Sequence, residues 1–266
     1  MKLKLPTPKK SGPRVLTVKD AWHLTPNMIR VTFAGPELEG IKPGCEGANC
    51  KLMLPEAGES RKDFTKRLEN GKNITRRTYT VRHIRPDAQE MDIDFVDHGD
   101  TGPASGWANK AKPGDFIGFA GPGPVKMDAF YADYYVVAAD SSAIPVAAAT
   151  LEAMPRDAKG IAIFEVPTEA DRQDIDAPEG IDMRWLIHEN PYRSSPAQEE
   201  AIRALEWPKG RVQTCIAGES GVIKSLRQYI LKDRDLSKKD AYISGYWKIG
   251  MIEDEHQAMK RAEANA

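Results

Sequence analysis

Four consecutive residues, Arg77, Thr78, Tyr79 and Thr80, could hold a ligand that carries both an aromatic ring and phosphate groups. Alternate residues of a β-strand share a face, so Arg77 and Tyr79 would point the same way. An arginine can bind phosphate oxygens through parallel hydrogen bonds, and a tyrosine ring packs against other rings. Alone, this pair is better explained as an edge strand with a surface arginine and a packed tyrosine. The neighbouring motifs are therefore needed to distinguish a ligand site from an ordinary strand.

Two motifs downstream favour a flavin site. Asp94-Phe95-Val96 precedes His98, and Gly102-Pro103-Ala104-Ser105 leads into Trp107. Backbone N–H groups at the start of a short helix there would bind a pyrophosphate. A flavin needs an apolar slot for its ring, hydrogen bonds at the ring edge, which Thr80 could supply, and donors for its phosphates. Together the motifs predict a flavin lying across two strands and the loop that leaves the second.

Composition narrows the possible partners. The chain has 266 residues, 41% hydrophobic and 29% charged, which fits one large domain or two modest ones. A net charge of -1 gives no global attraction to nucleic acid or to a membrane, so we expect neither as a partner. The three cysteines are too few for a disulfide framework. We find no metal-ligand set and no catalytic acid–base pair.

The compartment is also predicted from what the sequence lacks. Residues 1–16 contain lysines but no apolar run, so they do not resemble a secretory signal. No apolar stretch reaches the length needed to cross a bilayer. We therefore expect a cytoplasmic protein.

The chain divides into two halves with different patterns. Residues 14–123 contain short strand-like runs separated by Gly, Pro and Asp, which is typical of a barrel or sandwich. Within this half, the polar segment 56–72 is expected to be a loop, with a helical turn as the alternative. The second half alternates strands and helices, which predicts a doubly wound parallel sheet. We predict domains of residues 1–127 and 128–266, the second ending in a helix.

The joint set of motifs resembles the siderophore-interacting proteins, FAD-dependent ferric-siderophore reductases of the ferredoxin-reductase superfamily. Matching motifs in the second half lie at 134–145, 217–220 and 244–250, and the resemblance runs from about Arg14 to Glu255. It implies a six-stranded antiparallel FAD-binding barrel followed by a nicotinamide-binding α/β domain, with FAD rather than FMN as the cofactor. The predicted cofactor-binding residues are Arg77, Thr78, Tyr79, Thr80, Asp94, Val96, His98, Gly102, Ala104, Ser105, Trp107, Asp140, Ala143 and Glu219.

The electron donor is less well determined by the sequence. The turn at Asp140 lacks the glycines of a dinucleotide fingerprint, and its carboxylate would repel a phosphate unless it capped the next helix. Glu219 has the same two interpretations, as a carboxylate at a helix start or a neighbour of the nicotinamide. Arg172 and Arg193 are isolated candidates for binding the 2′-phosphate of NADPH. We expect NADH, with NADPH or a separate ferredoxin as alternatives.

The resemblance also suggests an acceptor site. Lys51, Lys126 and Lys248 match the family's basic positions and would bind an anionic ferric siderophore, although a single lysine is usually a solvated surface charge. The predicted function is reduction of siderophore-bound Fe(III) with release of Fe(II), by a monomer. Two alternatives stay open: a flavin oxidoreductase serving a protein partner, and a siderophore-binding module without turnover.

Overall fold

A computed structural model describes residues 13–71, 73–99 and 102–264, and two β-sheets dominate the described part of the chain. Residues 1–12, which contain most of the segment assessed as lacking a secretory signal, lie outside it. Among the described residues, no helix combines the length and the apolar character that a membrane span requires.

The first sheet is antiparallel and contains the predicted flavin strand. Its strands follow the order β4-β3-β7-β1-β2-β6-β5. The strand bounds are β1 (Arg14–Thr25), β2 (Met28–Ala34), β3 (Asn49–Met53), β4 (Arg76–Thr80), β5 (His83–Arg85), β6 (Glu90–Val96) and β7 (Phe116–Ala120). The predicted barrel-like architecture is confirmed, but the described sheet has seven strands rather than six. The prediction missed the three-residue β5, which is too short to show an alternating pattern.

Aromatic packing brings the flavin strand against the far side of this sheet. The Tyr79 ring on β4 lies 4.4 Å from the Phe95 ring on β6, measured between centroids. β4 and β6 are not neighbours in the strand order, so the sheet must curve to bring these rings together. The buried side chains of Leu16, Val31 and Phe119 belong to the same apolar core. This curvature brings Tyr79, on the edge strand β4, against the buried core that contains Phe95.

The polar segment 56–72, for which we expect a loop, contains the helix α1 (Arg61–Asn70), so that expectation is wrong. Ser60 caps the helix by accepting a hydrogen bond from the backbone N–H of Asp63. Phe64 and Leu68, one helical turn apart, are buried beneath it. The many charged residues on the opposite face hide this two-residue apolar pattern.

The second sheet is parallel, with strand order β10-β9-β8-β11-β12. Its strands are β8 (Tyr134–Asp140), β9 (Lys159–Val166), β10 (Gly180–Ile187), β11 (Val212–Glu219) and β12 (Ala241–Trp247). The helix α3 (Ile144–Ala153) packs on one face, and α4 (Ala197–Arg203) and α5 (Ser220–Gln228) pack on the other. The predicted doubly wound sheet is confirmed. Ligands of such sheets bind at the carboxyl ends of the strands, where the order reverses between β8 and β11.

Polar contacts link the two parts of the chain. Asp171 of the second part accepts hydrogen bonds from Thr25 Oγ1 and from the Asn27 backbone N–H of the first, both at 2.9 Å. The last helix, α6 (Glu253–Ala264), follows β12 and returns towards β4. Residues of both parts line one shared cavity. The predicted boundary at 127/128 falls between β7 and β8 and stays a prediction.

Candidate FAD and ferric-chelate site

A cavity of about 980 Å³ lies between the first sheet and the carboxyl ends of the parallel strands. Its volume is at the upper end of what small-molecule sites use, which suits a ligand as large as a dinucleotide. The predicted site residues that line it are Arg77, Thr78, Tyr79, Thr80, Asp94, Val96, His98, Gly102, Ala104, Ser105, Asp140, Glu219, Lys51, Lys126 and Lys248. Residues far apart in the sequence are thus brought to one space.

Two predicted cofactor residues do not line this cavity. Trp107, in the helix α2 (Pro103–Ala108), turns its ring into the core, with centroids 6.3 Å from Phe33 and 5.9 Å from Phe95. Ala143 is fully buried just before α3. Both side chains pack in the core behind the residues that line the cavity, where they fill space that would otherwise be a void.

β4 forms one wall and lies at the edge of its sheet. It pairs with β3 in a register that places Thr78 opposite Lys51, and the Lys51 Nζ donates to Thr78 Oγ1 at 2.5 Å. Burial raises the pKa of the Tyr79 hydroxyl well above its ordinary value, with a smaller effect in the same direction from the Glu253 carboxylate. Burial therefore disfavours the charged phenolate form of Tyr79.

Asp94 lines the cavity, and its negative charge is paired with Arg30. Its carboxylate receives two hydrogen bonds from Arg30, at 2.7 and 2.8 Å, from the paired position on β2. The Asp94 side chain is 0% exposed. This charge-assisted pair links β2 and β6, and a direct contact of Asp94 with the cofactor stays a prediction.

Hydrogen bonds link Asp97 and His98, which follow β6, to α2 and to the residue after it. Ser105 Oγ accepts a hydrogen bond from the His98 backbone N–H at 3.1 Å, and Asn109 Nδ2 donates to Asp97 Oδ1 at 2.6 Å. Burial raises the pKa of Asp97, but hydrogen bonds from His23, Asn109 and others outweigh it and bring the pKa to about 2. A Cβ added at Gly102 would lie 2.4 Å from His98 Cε1, so the glycine leaves room for that ring.

Asp140 ends β8 on the opposite wall. Its carboxylate accepts hydrogen bonds from Trp247 Nε1 at 2.7 Å and from the Ser142 backbone N–H at 2.9 Å. Burial raises the pKa of Asp140, and these hydrogen bonds oppose that rise. α3 begins only at Ile144, so Asp140 stabilises the preceding turn and is not the N-cap that one interpretation required.

Glu219 is a helix-start carboxylate, one of the two roles considered for it. Its Oε2 accepts hydrogen bonds from the backbone N–H groups of Gly221 and Val222, at 2.6 and 3.1 Å, and so caps α5. The same side chain lines the cavity. A nicotinamide contact by Glu219 stays a prediction.

The cavity also contains residues that the sequence analysis did not predict, among them Glu253 and Glu165. Glu253, the first residue of α6, accepts hydrogen bonds from the Thr78 backbone N–H at 2.9 Å and from Thr78 Oγ1 at 3.0 Å. Glu165, at the end of β9, accepts one from Ser195 Oγ at 2.7 Å. Neither lies in a motif, and for Glu253 only the return of α6 to β4 could reveal the contact.

The chemistry of the cavity fits FAD. The Glu253 carboxylate accepts a hydrogen bond from the Thr78 backbone N–H on β4 and lies 3.6 Å from Arg77 Nε, so these donors can accommodate a negatively charged group. Ser105 and the start of α2 add polar groups beside His98. Tyr79 and Tyr246 give the cavity aromatic surface.

Two family models match the chain. The siderophore-interacting FAD-binding domain matches residues 17–126, and the siderophore-interacting protein model matches residues 132–250. Ferric vibriobactin reductase ViuB of Vibrio cholerae serotype O1 is 33% identical over 250 residues, which is 91% of this chain and 92% of that protein. Ferric acinetobactin reductase of Acinetobacter baumannii is 31% identical over 180 residues, or 67% of this chain and 63% of that protein.

Solved structures agree with these sequence matches. The siderophore-interacting protein SipS from Aeromonas hydrophila has a TM-score of 0.82 and 32% identity, covering 96% of this chain and 99% of SipS. A siderophore utilization protein from T. fusca has a TM-score of 0.79 and 34% identity, covering 90% of this chain and 94% of that protein. The chain therefore belongs to the siderophore-interacting protein family, and its first half is that family's FAD-binding domain.

Proposed function

We propose that this protein reduces siderophore-bound Fe(III) to Fe(II), with FAD as its cofactor and NADH as its electron donor. One observation carries the proposal: a single cavity brings the predicted flavin residues together with Lys51, Lys126 and Lys248. The names of two relatives, ferric vibriobactin reductase and ferric acinetobactin reductase, support the same activity. A cytoplasmic location and a monomeric state stay predictions.

The chain's own residues have binding and positioning roles in this reaction. Bound FAD supplies the link between a donor of electron pairs and an acceptor of single electrons. Arg77 and Ser105 would bind its phosphate groups, and Tyr79 would pack against its ring or ribityl chain. The three lysines would hold an anionic chelate in the same cavity. The reduced ion is released because oxygen ligands attract Fe(II) less strongly than the more highly charged Fe(III).

Carboxylates in the cavity support NADH over NADPH. Glu165 and Glu189 line the cavity at the carboxyl ends of β9 and β10. Acidic groups at such strand ends can accept hydrogen bonds from ribose hydroxyls, and they would repel a 2′-phosphate. Of the two arginines considered for that phosphate, Arg193 lines the cavity, whereas Arg172 is ion-paired with Glu169 outside it.

The donor is tested by anaerobic stopped-flow measurement of the oxidised-flavin absorbance. We expect NADH to bleach the FAD-loaded protein faster than NADPH does. Bleaching by reduced ferredoxin, with none by either nicotinamide, would reject the nicotinamide donor while leaving the ferric acceptor untouched.

The acceptor is tested separately from the donor. The FAD-loaded protein is reduced with light and a sacrificial donor, and a panel of ferric chelates is added with an Fe(II)-specific trap. We expect flavin reoxidation to match trapped Fe(II), with anionic chelates fastest. The triple variant Lys51→Ala, Lys126→Ala, Lys248→Ala should keep its FAD and lose affinity for anionic chelates. Binding without reoxidation would instead indicate a module that holds the chelate without turnover.

A further inference from the structure

The carboxylate of Glu253 lies among groups that bind an anion. It accepts two hydrogen bonds from Thr78, through the backbone N–H and Oγ1, and its Oε2 lies 3.6 Å from Arg77 Nε. Lys51 Nζ also contacts Thr78 Oγ1, which adds a second positive charge nearby. The Glu253 side chain is 22% exposed, so solvent screens these contacts only partly.

The edge position of β4 explains why the Thr78 N–H is available. Within the part of the chain that the structure describes, β4 is the terminal strand of its sheet and pairs with β3 alone. An edge strand leaves backbone N–H groups without a strand partner, and such groups need another acceptor. Glu253 is that acceptor at Thr78.

The rest of α6 is attached to the second domain. His256 Nε2 lies 2.7 Å from Ser220 Oγ, at the start of α5, and Met259 Sδ accepts a hydrogen bond from Lys248 Nζ. Both partners lie in the second domain, whereas Glu253 reaches across to the barrel. The contact between Glu253 and β4 can therefore break while these contacts keep the remainder of α6 in place.

We propose that Glu253 lowers the affinity for FAD, because its carboxylate competes with the phosphate groups of FAD for Arg77 and the Thr78 N–H. A phosphate oxygen uses the same charge-assisted donors as a carboxylate. If Glu253 stayed in place, its negative charge would repel the phosphate groups of FAD. The first turn of α6 therefore moves away from β4 when FAD binds. The inference rests on FAD as the cofactor of the proposed reductase, and not on the identity of the acceptor.

The test measures FAD binding rather than turnover. FAD is removed from the full-length protein, and the dissociation constant is measured by flavin fluorescence for the unaltered protein, Glu253→Gln and Glu255→Gln. Glu255 is an exposed residue of the same helix whose carboxylate accepts a hydrogen bond from the Ile252 backbone N–H, so its variant carries the same charge change without altering the contact with Thr78. We expect Glu253→Gln to bind FAD about fivefold more tightly and Glu255→Gln to bind it unchanged. Thermal melts show whether each variant is folded.

Hydrogen exchange supplies the second readout. We expect FAD to increase amide exchange in residues 253–257 of the unaltered protein. Unchanged or weaker FAD binding by Glu253→Gln, or greater protection of this turn, would overturn the proposal. If Glu253→Gln instead tightened only the binding of a ferric chelate to the FAD-loaded protein, the anion site would belong to the substrate and the proposal would be wrong. Each of these outcomes is independent of whether Fe(III) is reduced.

Discussion

Arg82, just after β4, and Glu152, on α3, form a two-pronged ion pair with N–O distances of 2.7 and 2.6 Å. The Arg82 side chain is only 4% exposed. The pair joins the barrel to the second domain directly beside the strand that carries Arg77 and Tyr79. It therefore helps to fix the spacing of the two walls of the FAD cavity.

Removing the carboxylate of this pair should destabilise the protein strongly. Glu152→Ala leaves a buried guanidinium without its partner, and we expect the free energy of unfolding to fall by about 3 kcal/mol. Urea denaturation measures the loss. The control is Glu169→Ala, whose ion pair with Arg172 is exposed and should contribute less than about 1 kcal/mol. Similar losses in the two variants would contradict a structural role for the Arg82–Glu152 pair.

The stability contributed by Asp97 should depend on pH. Its pKa is about 2 in the folded protein against an ordinary 3.8, because hydrogen bonds stabilise the charged form more than burial disfavours it. A lowered pKa contributes stability that is fully present above the ordinary value and is lost as the pH falls through the folded value. We expect Asp97→Asn to lower the free energy of unfolding by about 1 to 2 kcal/mol at pH 6.

Unfolding of both proteins is followed by urea titration from pH 6 to pH 2.5. The difference between them should shrink as the pH decreases. The control Asp176→Asn alters a carboxylate that is 81% exposed and should change stability little at pH 6. A difference for Asp97→Asn that stays constant with pH would show that its hydrogen bonds do not favour the charged carboxylate.

The sequence predicted the parts of the site that are local. Arg77 and Tyr79 alternate on one short strand, and Glu219 sits at a strand-to-helix junction, so pattern and position sufficed for both. The two sheets also followed from the change in pattern near residue 127. These features depend on residues that are close together in the sequence, so a single sequence is enough to predict them.

What the sequence could not predict depends on tertiary contacts. Glu253 looks like any acidic residue at a helix start until α6 brings it to Thr78. Trp107 appears as part of a cofactor motif, but its ring packs in the core because Phe33 and Phe95 lie behind the loop. Asp140 looks like an N-cap, yet Trp247 approaches it from β12 and takes part of its hydrogen-bonding capacity.

Gly102 should affect FAD affinity because it leaves space for the His98 ring. Its φ of -108° is accessible to any residue, so Gly102→Ala introduces no backbone strain. The added methyl group must instead displace the His98 ring, and we expect FAD affinity to fall about tenfold.

A double-mutant cycle with His98→Ala isolates this effect. Once the ring is absent, Gly102→Ala should weaken FAD binding little further, so the two changes should be strongly non-additive. Flavin fluorescence titration of the four proteins gives the coupling. Additive losses would mean that Gly102 acts on FAD by another route, such as its own backbone.

Reversing one charge in the cavity should weaken the binding of anionic chelates more than the binding of neutral chelates. Lys126 lines the cavity, so Lys126→Glu should weaken binding of an anionic ferric chelate to the FAD-loaded protein about tenfold, and that of a neutral chelate much less. Added salt should reduce the difference, because it screens partly exposed charges. The control is Lys224→Glu, an exposed position on α5 that does not line the cavity and should leave both affinities unchanged. Equal effects of the two variants would mean that the general charge of the protein, rather than this cavity, attracts the chelate.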